Sequence, residues 1–298
     1  MPSVFEYPSL VRVMPKDWLI NHENYFTDEN FYISNSKVSD FLKSKEYFLK
    51  KHISDEIPNP SSIPMKIGSM VDALLCGEEI PYSIKVLKRE DPEEYQRQSD
   101  LPEDRIVTQA QFDEAQARVK AITREPFFEE YAKDNRVDRT EFQTILLGHI
   151  PYGIKPNREK IPICGMADAI TRRRRKAVYI DDFKSTSPMK VVNPKTWYWV
   201  CHDMGYFRQL AVYKYLFEQT RERLDKRPII CRHIVVTKLQ ENLYKVHLFV
   251  IPNELLIEPW KQFERTVKAI WEEKDWKDEP VEWKSAIDLG KYMPNNFE

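Results

Sequence analysis

The sequence predicts an α/β domain in which a mixed sheet is flanked by helices, and three observations carry that expectation. Apolar residues recur at helical spacing up to Ile122, alternate with polar ones from Arg139 onward, and return to helical spacing twice after Lys184. A chain of 298 residues with 15 Phe, 15 Tyr and 7 Trp has the material for one large α/β core with insertions. Only seven glycines occur, so glycine-rich phosphate loops of the Walker or dinucleotide-binding kind are nearly impossible.

Residues 1–35 read as an aromatic arm (Phe5, Tyr7, Trp18, Tyr25, Phe26, Phe31, Tyr32), residues 36–274 as the main domain and 275–298 as an acidic tail. Ser36 caps an expected helix with Val38, Phe41, Leu42 and Leu49 on one stripe. The break IPNPSSIP (57–64) separates it from a second helix over Met65 to Leu75. Residues from about 85 to 107 are so charged and so poor in aliphatic groups that they read as an exposed insertion or mobile loop. Thr108 opens an amphipathic helix to Ile122. Strands are expected over Arg139 to Leu147, Ile161 to Ile170 and Ala177 to Lys184. A helix-rich stretch from 195 to 219, strands over Ile229 to Thr237 and Leu243 to Ile251, and a final helix opened by Pro259 complete the order.

Charge and cysteine usage narrow the function. The 46 basic and 47 acidic residues leave a formal net charge of −1, so a polyanion must be held by a local patch. The run Arg172, Arg173, Arg174, Arg175, Lys176 is the obvious candidate for gripping phosphates, although such runs are as often solvated turns. Four widely spaced cysteines (Cys76, Cys164, Cys201, Cys231) argue against a zinc ribbon, a redox pair or a disulfide scaffold. No signal peptide or membrane span is encoded, which makes a reduced cytoplasm the expected location. The six histidines form no HxxxH or HxH pair.

The chemistry concentrates in residues 163–187. On an extended strand Val178, Ile180, Asp182 and Lys184 share one face, while Tyr179, Asp181 and Phe183 share the other. If the preceding strand pairs antiparallel through the basic turn, Asp168 approaches Asp182 at roughly 5 Å across the ladder. Two carboxylates so close repel unless a cation sits between them, and hard oxygens suit Mg²⁺ or Mn²⁺.

Asp168, a spacer of thirteen residues, then Asp182-Phe183-Lys184 resembles the PD-(D/E)xK nuclease signature. Gln209 and Tyr213 are similar to the QxxxY motif of its RecB-like exonuclease branch. The helix from Ile67 to Leu75 resembles the G-xxx-H-A-L-L helix of exodeoxyribonuclease VIII and RecB-type nuclease domains, with Asp72 where that family usually has histidine. Glu141 resembles a further acidic position of the lambda-exonuclease and exodeoxyribonuclease VIII groups. The resemblance implies a restriction-endonuclease-like core, with extra helices at both ends. It also implies one or two Mg²⁺ or Mn²⁺ ions held by Asp72, Glu141, Asp168, Asp182 and the Phe183 carbonyl. Lys184 would act on the attacking water, and Gln209 and Tyr213 would brace the lysine or the DNA backbone. The implied activity is exonucleolytic trimming of double-stranded DNA ends, with a single-strand-annealing protein and a homo-oligomer as possible partners and phage or prophage as a common origin. No iron–sulfur cluster is expected, because Cys201 and Cys231 are not the C-terminal triplet of cluster-bearing relatives. An endonuclease on the same core and an inactive DNA-binding module remain as alternatives.

Overall fold

A computed structural model describes residues 32–57, 62–87, 89–128, 139–154, 159–173, 176–221, 225–241 and 243–273. The aromatic arm up to Phe31 and the tail beyond 273 lie outside them.

The expected first helix is two. Ser34 caps α1 (Asn35–Lys43) by accepting from the Lys37 N–H. Ser44 then breaks the periodicity: its N–H closes α1 on Asp40, its backbone is extended, and its hydroxyl caps α2 (Lys45–His52). Across the joint, the buried Asp40 carboxylate accepts from Lys51 Nζ at 2.8 Å and lies 3.1 Å from His52 Nε2. Burial alone would push this carboxyl up, but the bonds to His52 and Lys51 prevail and hold it at about 2. A lowered folded-state value means stability that is present above the unfolded value near 4 and lost as pH falls towards 2. Asp40→Ala should cost about 1–3 kcal/mol in urea denaturation at pH 7. That deficit should shrink as the pH is taken from about 4 to 2.

α3 (Ile63–Cys76) starts at Ser62 and stops at Gly77, whose φ of 71° suits glycine. The segment read as an exposed insertion or mobile loop is largely exposed but carries regular structure in place of a loop. It holds α4 (Pro92–Ser99) and β2 (Ile106–Val107), which pairs in parallel with β1 (Ser83–Ile84) just ahead of the segment. Its anchor is polar and so invisible to an aliphatic count. The buried Gln98 accepts from the Val86 N–H at 3.1 Å and donates to the Ile84 carbonyl at 2.7 Å and to Ser83 Oγ at 3.1 Å. α5 (Gln109–Thr123) carries the capping box that Thr108 and Gln111 predict.

The main sheet runs β3 (Arg139–Tyr152), β4 (Glu159–Arg172), β5 (Val178–Thr186), β6 (Ile229–Gln240) and β7 (Leu243–Ile251) in spatial order. Every neighbouring pair is antiparallel except β5 and β6, which are parallel. A parallel pair needs a crossover, supplied by α6 (Pro194–Asp203) and α7 (Tyr206–Thr220). The stretch expected as helix-rich splits at Gly205, which adopts φ 68° between the two. α8 (Glu254–Glu272) begins five residues before Pro259, which therefore sits inside the helix rather than opening it. The buried Leu256, in the turn before the proline, packs into the core and favours the early start.

One apolar layer joins α1, α2, α7 and α8 to one sheet face through Phe48, Ile163, Ile170, Ile180, Leu210 and Phe263. The other joins α3 and α5 to the opposite face through Met70, Ala115, Ile122, Ala169 and Ile234. No helix among the described residues is long and apolar enough to cross a membrane.

Candidate active site

β4 and β5 pair from Arg172 with Val178 to Ala169 with Asp181, and then part. The next rung would set Asp168 opposite Asp182, the register expected from parity. There the ladder gives way to a side chain: Asp168 Oδ2 accepts from the Phe183 N–H at 2.6 Å. The acid thus replaces a backbone partner, and Asp182 comes beside it on the adjoining strand.

From Asp182 a polar chain leads to α7. Lys184 Nζ lies 2.7 Å from Asp182 Oδ2 and donates to Gln209 Oε1 at 3.2 Å. Gln209 Nε2 donates to the Tyr213 hydroxyl at 2.6 Å, four residues on and so on the same helix face. The Tyr206 ring lies 4.8 Å from the ammonium, a cation–π distance. Gly165 makes room for this arrangement: a Cβ there would stand 2.9 Å from the Tyr213 ring. Gly165→Ala should therefore displace Tyr213 and cost about 1–3 kcal/mol of stability. Thermal melting and a nuclease assay on the same preparation would check whether the brace on Lys184 is lost with it.

The acids are in one another's field. Burial raises the Asp168 carboxyl well above the usual carboxylate range, and Asp182 and Asp72 add to this. Burial also raises Asp182, with Lys184 opposing. Asp72, brought in by α3, is pushed up to about 7 by burial, with Lys184 opposing and Asp182 adding. Burial would lower Lys184, but Asp182 and Asp168 more than reverse it, so this lysine is an ammonium throughout the neutral range. An ammonium can stabilise developing negative charge but cannot accept a proton.

Other expected site residues fall elsewhere. Glu141 pairs with Arg172 Nη1 at 2.5 Å rather than joining the acids. Arg172 also lies 5.3 Å from the Phe217 ring, and Arg173 is buried. The basic turn precedes Val178 at the start of β5, four residues or about 13 Å along the strand from Asp182. A run of cations beside the acids is thereby corrected; Lys176 alone of the described members is exposed, and Arg174 and Arg175 lie outside the described residues. Asp181 faces away, as parity requires, in a buried pair with Arg232 at 2.6 and 2.8 Å.

Two neighbours were not singled out from sequence. Tyr206 flanks Lys184, and His233 is the register partner of Asp182 across the parallel pair. Burial, with Lys184 adding, lowers His233 to about 3, so it is neutral.

Among the described residues, no three His, Cys, Asp or Glu side chains form a ready-made metal cage. The donor set nonetheless fits a hard divalent ion. Asp182 is fully buried and meets Lys184 through Oδ2, Asp168 lies alongside, and the Phe183 carbonyl is on the same strand between Asp182 and Lys184. Mg²⁺ typically takes one or two carboxylates and fills its octahedron with water and substrate phosphate.

Residues 34–286 match the family model of the PDDEXK-like domain of unknown function (DUF3799). The chain belongs to this family. Its place in the PD-(D/E)xK superfamily follows, and the five-stranded mixed sheet between two helical layers is the restriction-endonuclease-like architecture expected of it. Among solved structures, the crystal structure of "Putative exonuclease" from Eubacterium rectale is similar at TM-score 0.59 and 18% identity, covering 94% of this PDDEXK-like chain and 96% of its own. SSO0001 aligns over 76% of this chain and 84% of its own at 13% identity, but its TM-score of 0.26 carries no argument. No curated protein matches the sequence.

Proposed function

We propose that this PDDEXK-like protein is a metal-dependent deoxyribonuclease that removes nucleotides from the ends of double-stranded DNA. The observation that supports the reading is the linked set of Asp168, Asp182, Lys184, Gln209 and Tyr213, in which residues resembling the nuclease signature are hydrogen-bonded to residues resembling the QxxxY motif. The exonuclease specificity rests on the likeness of those motifs to the exodeoxyribonuclease VIII branch.

Asp168, Asp182 and the Phe183 carbonyl would hold the ion, with Asp72 as a further carboxylate. When bound, the ion would lower the pKa of attacking water and neutralise charge on the phosphoryl oxygens. The residues themselves supply the rest. Lys184 presents a fixed positive charge to the phosphate oxygens as they gain charge in the transition state. Gln209 accepts a hydrogen bond from Lys184 and, anchored by Tyr213, keeps the ammonium aimed at the acids. Burial of the cluster limits competing water and strengthens each of these charge interactions.

End-labelled linear duplex, closed circular duplex and single strands, each with Mg²⁺ or EDTA, test the reading. Mg²⁺-dependent loss of linear but not circular DNA is expected. Cutting of circles would point to an endonuclease, and binding without cutting to an inactive module.

A further inference from the structure

His233 belongs to none of the motifs, yet the parallel ladder seats it directly beside Asp182. The imidazole is fully buried. Trp197 meets it edge-on at 5.6 Å between centroids, with Tyr206 at 6.1 Å and Phe207 at 6.4 Å. Its Nδ1 lies 3.6 Å from Cys201 Sγ, within reach of a thiol donor. Its Nε2 lies 3.6 Å from Asp182 Oδ2 and has no hydrogen-bond partner among the described residues. A buried ring nitrogen without a partner costs about 1–3 kcal/mol, and the Asp182 carboxylate is the charged group that faces it.

The two Asp182 oxygens are placed differently. Lys184 and His233 both address Oδ2. Oδ1 is buried and lies outside both of these contacts. With Nδ1 accepting from the Cys201 thiol, the ring proton sits on Nε2, the nitrogen 3.6 Å from Asp182 Oδ2.

We propose that His233 is a positioning residue: held by Cys201 and the aromatic wall of α6 and α7, it fixes Asp182 through Oδ2 so that Oδ1 faces the divalent ion. This rests on the reading of Asp182 as a metal ligand. The arrangement matches the general use of outer-shell partners to orient metal-binding side chains, whose loss typically costs 10–100-fold in metal affinity or activity.

Calorimetric titration of the full-length protein with Mn²⁺, alongside thermal melting without metal, tests the proposal. Against wild type, His233→Leu should weaken Mn²⁺ binding by about 10–100-fold with little change in the metal-free melting temperature. Cleavage should fall at low Mn²⁺ and recover at high Mn²⁺. His233→Gln, whose amide can reach the Nε2 position, should restore most of the affinity, whereas His233→Asn, which cannot, should not. A His233→Leu protein that binds Mn²⁺ as tightly as wild type overturns the proposal. If that variant does not fold, equal Mn²⁺ affinities for the Gln and Asn variants overturn it instead. Wild-type protein that binds no Mn²⁺ at all would remove the metal-site reading itself, a distinct result.

Discussion

Lys184→Ala should lower DNA cleavage by about 10²–10³-fold, the range associated with losing one preorganised group that stabilises developing negative charge. Affinity for a DNA end should change little. The argument is that Lys184 is a locked ammonium: Asp182 and Asp168 keep it protonated, Gln209 restrains it, and Tyr206 covers it. Its charge is therefore of use mainly where the phosphoryl oxygens gain negative charge, which is a transition-state contribution and belongs in kcat. Lys184→Arg keeps the charge but not the compact geometry, and should recover only part of the rate. A variant that cuts as fast as wild type would take Lys184 out of the mechanism.

Asp168→Asn should abolish metal-dependent cleavage and, without metal, make the protein more stable. Asp168 is buried, and both Asp182 and Asp72 act against its charge. Asparagine keeps an oxygen to accept from the Phe183 N–H and removes the repulsion. Relief worth about 1 kcal/mol would raise the melting midpoint by about 2–4 °C in a domain of this size. Adding Mg²⁺ should then stabilise wild type but leave the variant unmoved, since only a native-state ligand shifts the midpoint. A metal-free variant less stable than wild type, yet still stabilised by Mg²⁺, would mean that Asp168 has a purely structural task.

The site was legible wherever its geometry follows from one strand or one hairpin. Alternation on β5 is enough to put Asp182 and Lys184 on one face and Asp181 on the other. The hairpin register brings Asp168 level with Asp182, and helical spacing aligns Gln209 with Tyr213. His233 was not legible, because its contact with Asp182 depends on parallel pairing across a crossover of two helices, which no local pattern encodes. The basic turn misled for the converse reason. A run of charges looks solvated until tertiary contacts are known, and here Glu141 and Phe217 engage Arg172 while Arg173 is buried. The helix inside the exposed segment from 85 to 107 was not legible because its anchor is the amide of Gln98 rather than an aliphatic side chain. Pro259 looked like a helix start because proline favours that position, but the packing of Leu256 carries the helix one turn further back.

Anomalous diffraction from crystals of the wild-type protein grown with Mn²⁺ would probe the heart of this account. A peak coordinated by the carboxylates of Asp168 and Asp182, with Lys184 still on Asp182, is the predicted result. Strong Mn²⁺ density bound elsewhere, with those two acids left as they are without metal, would contradict it.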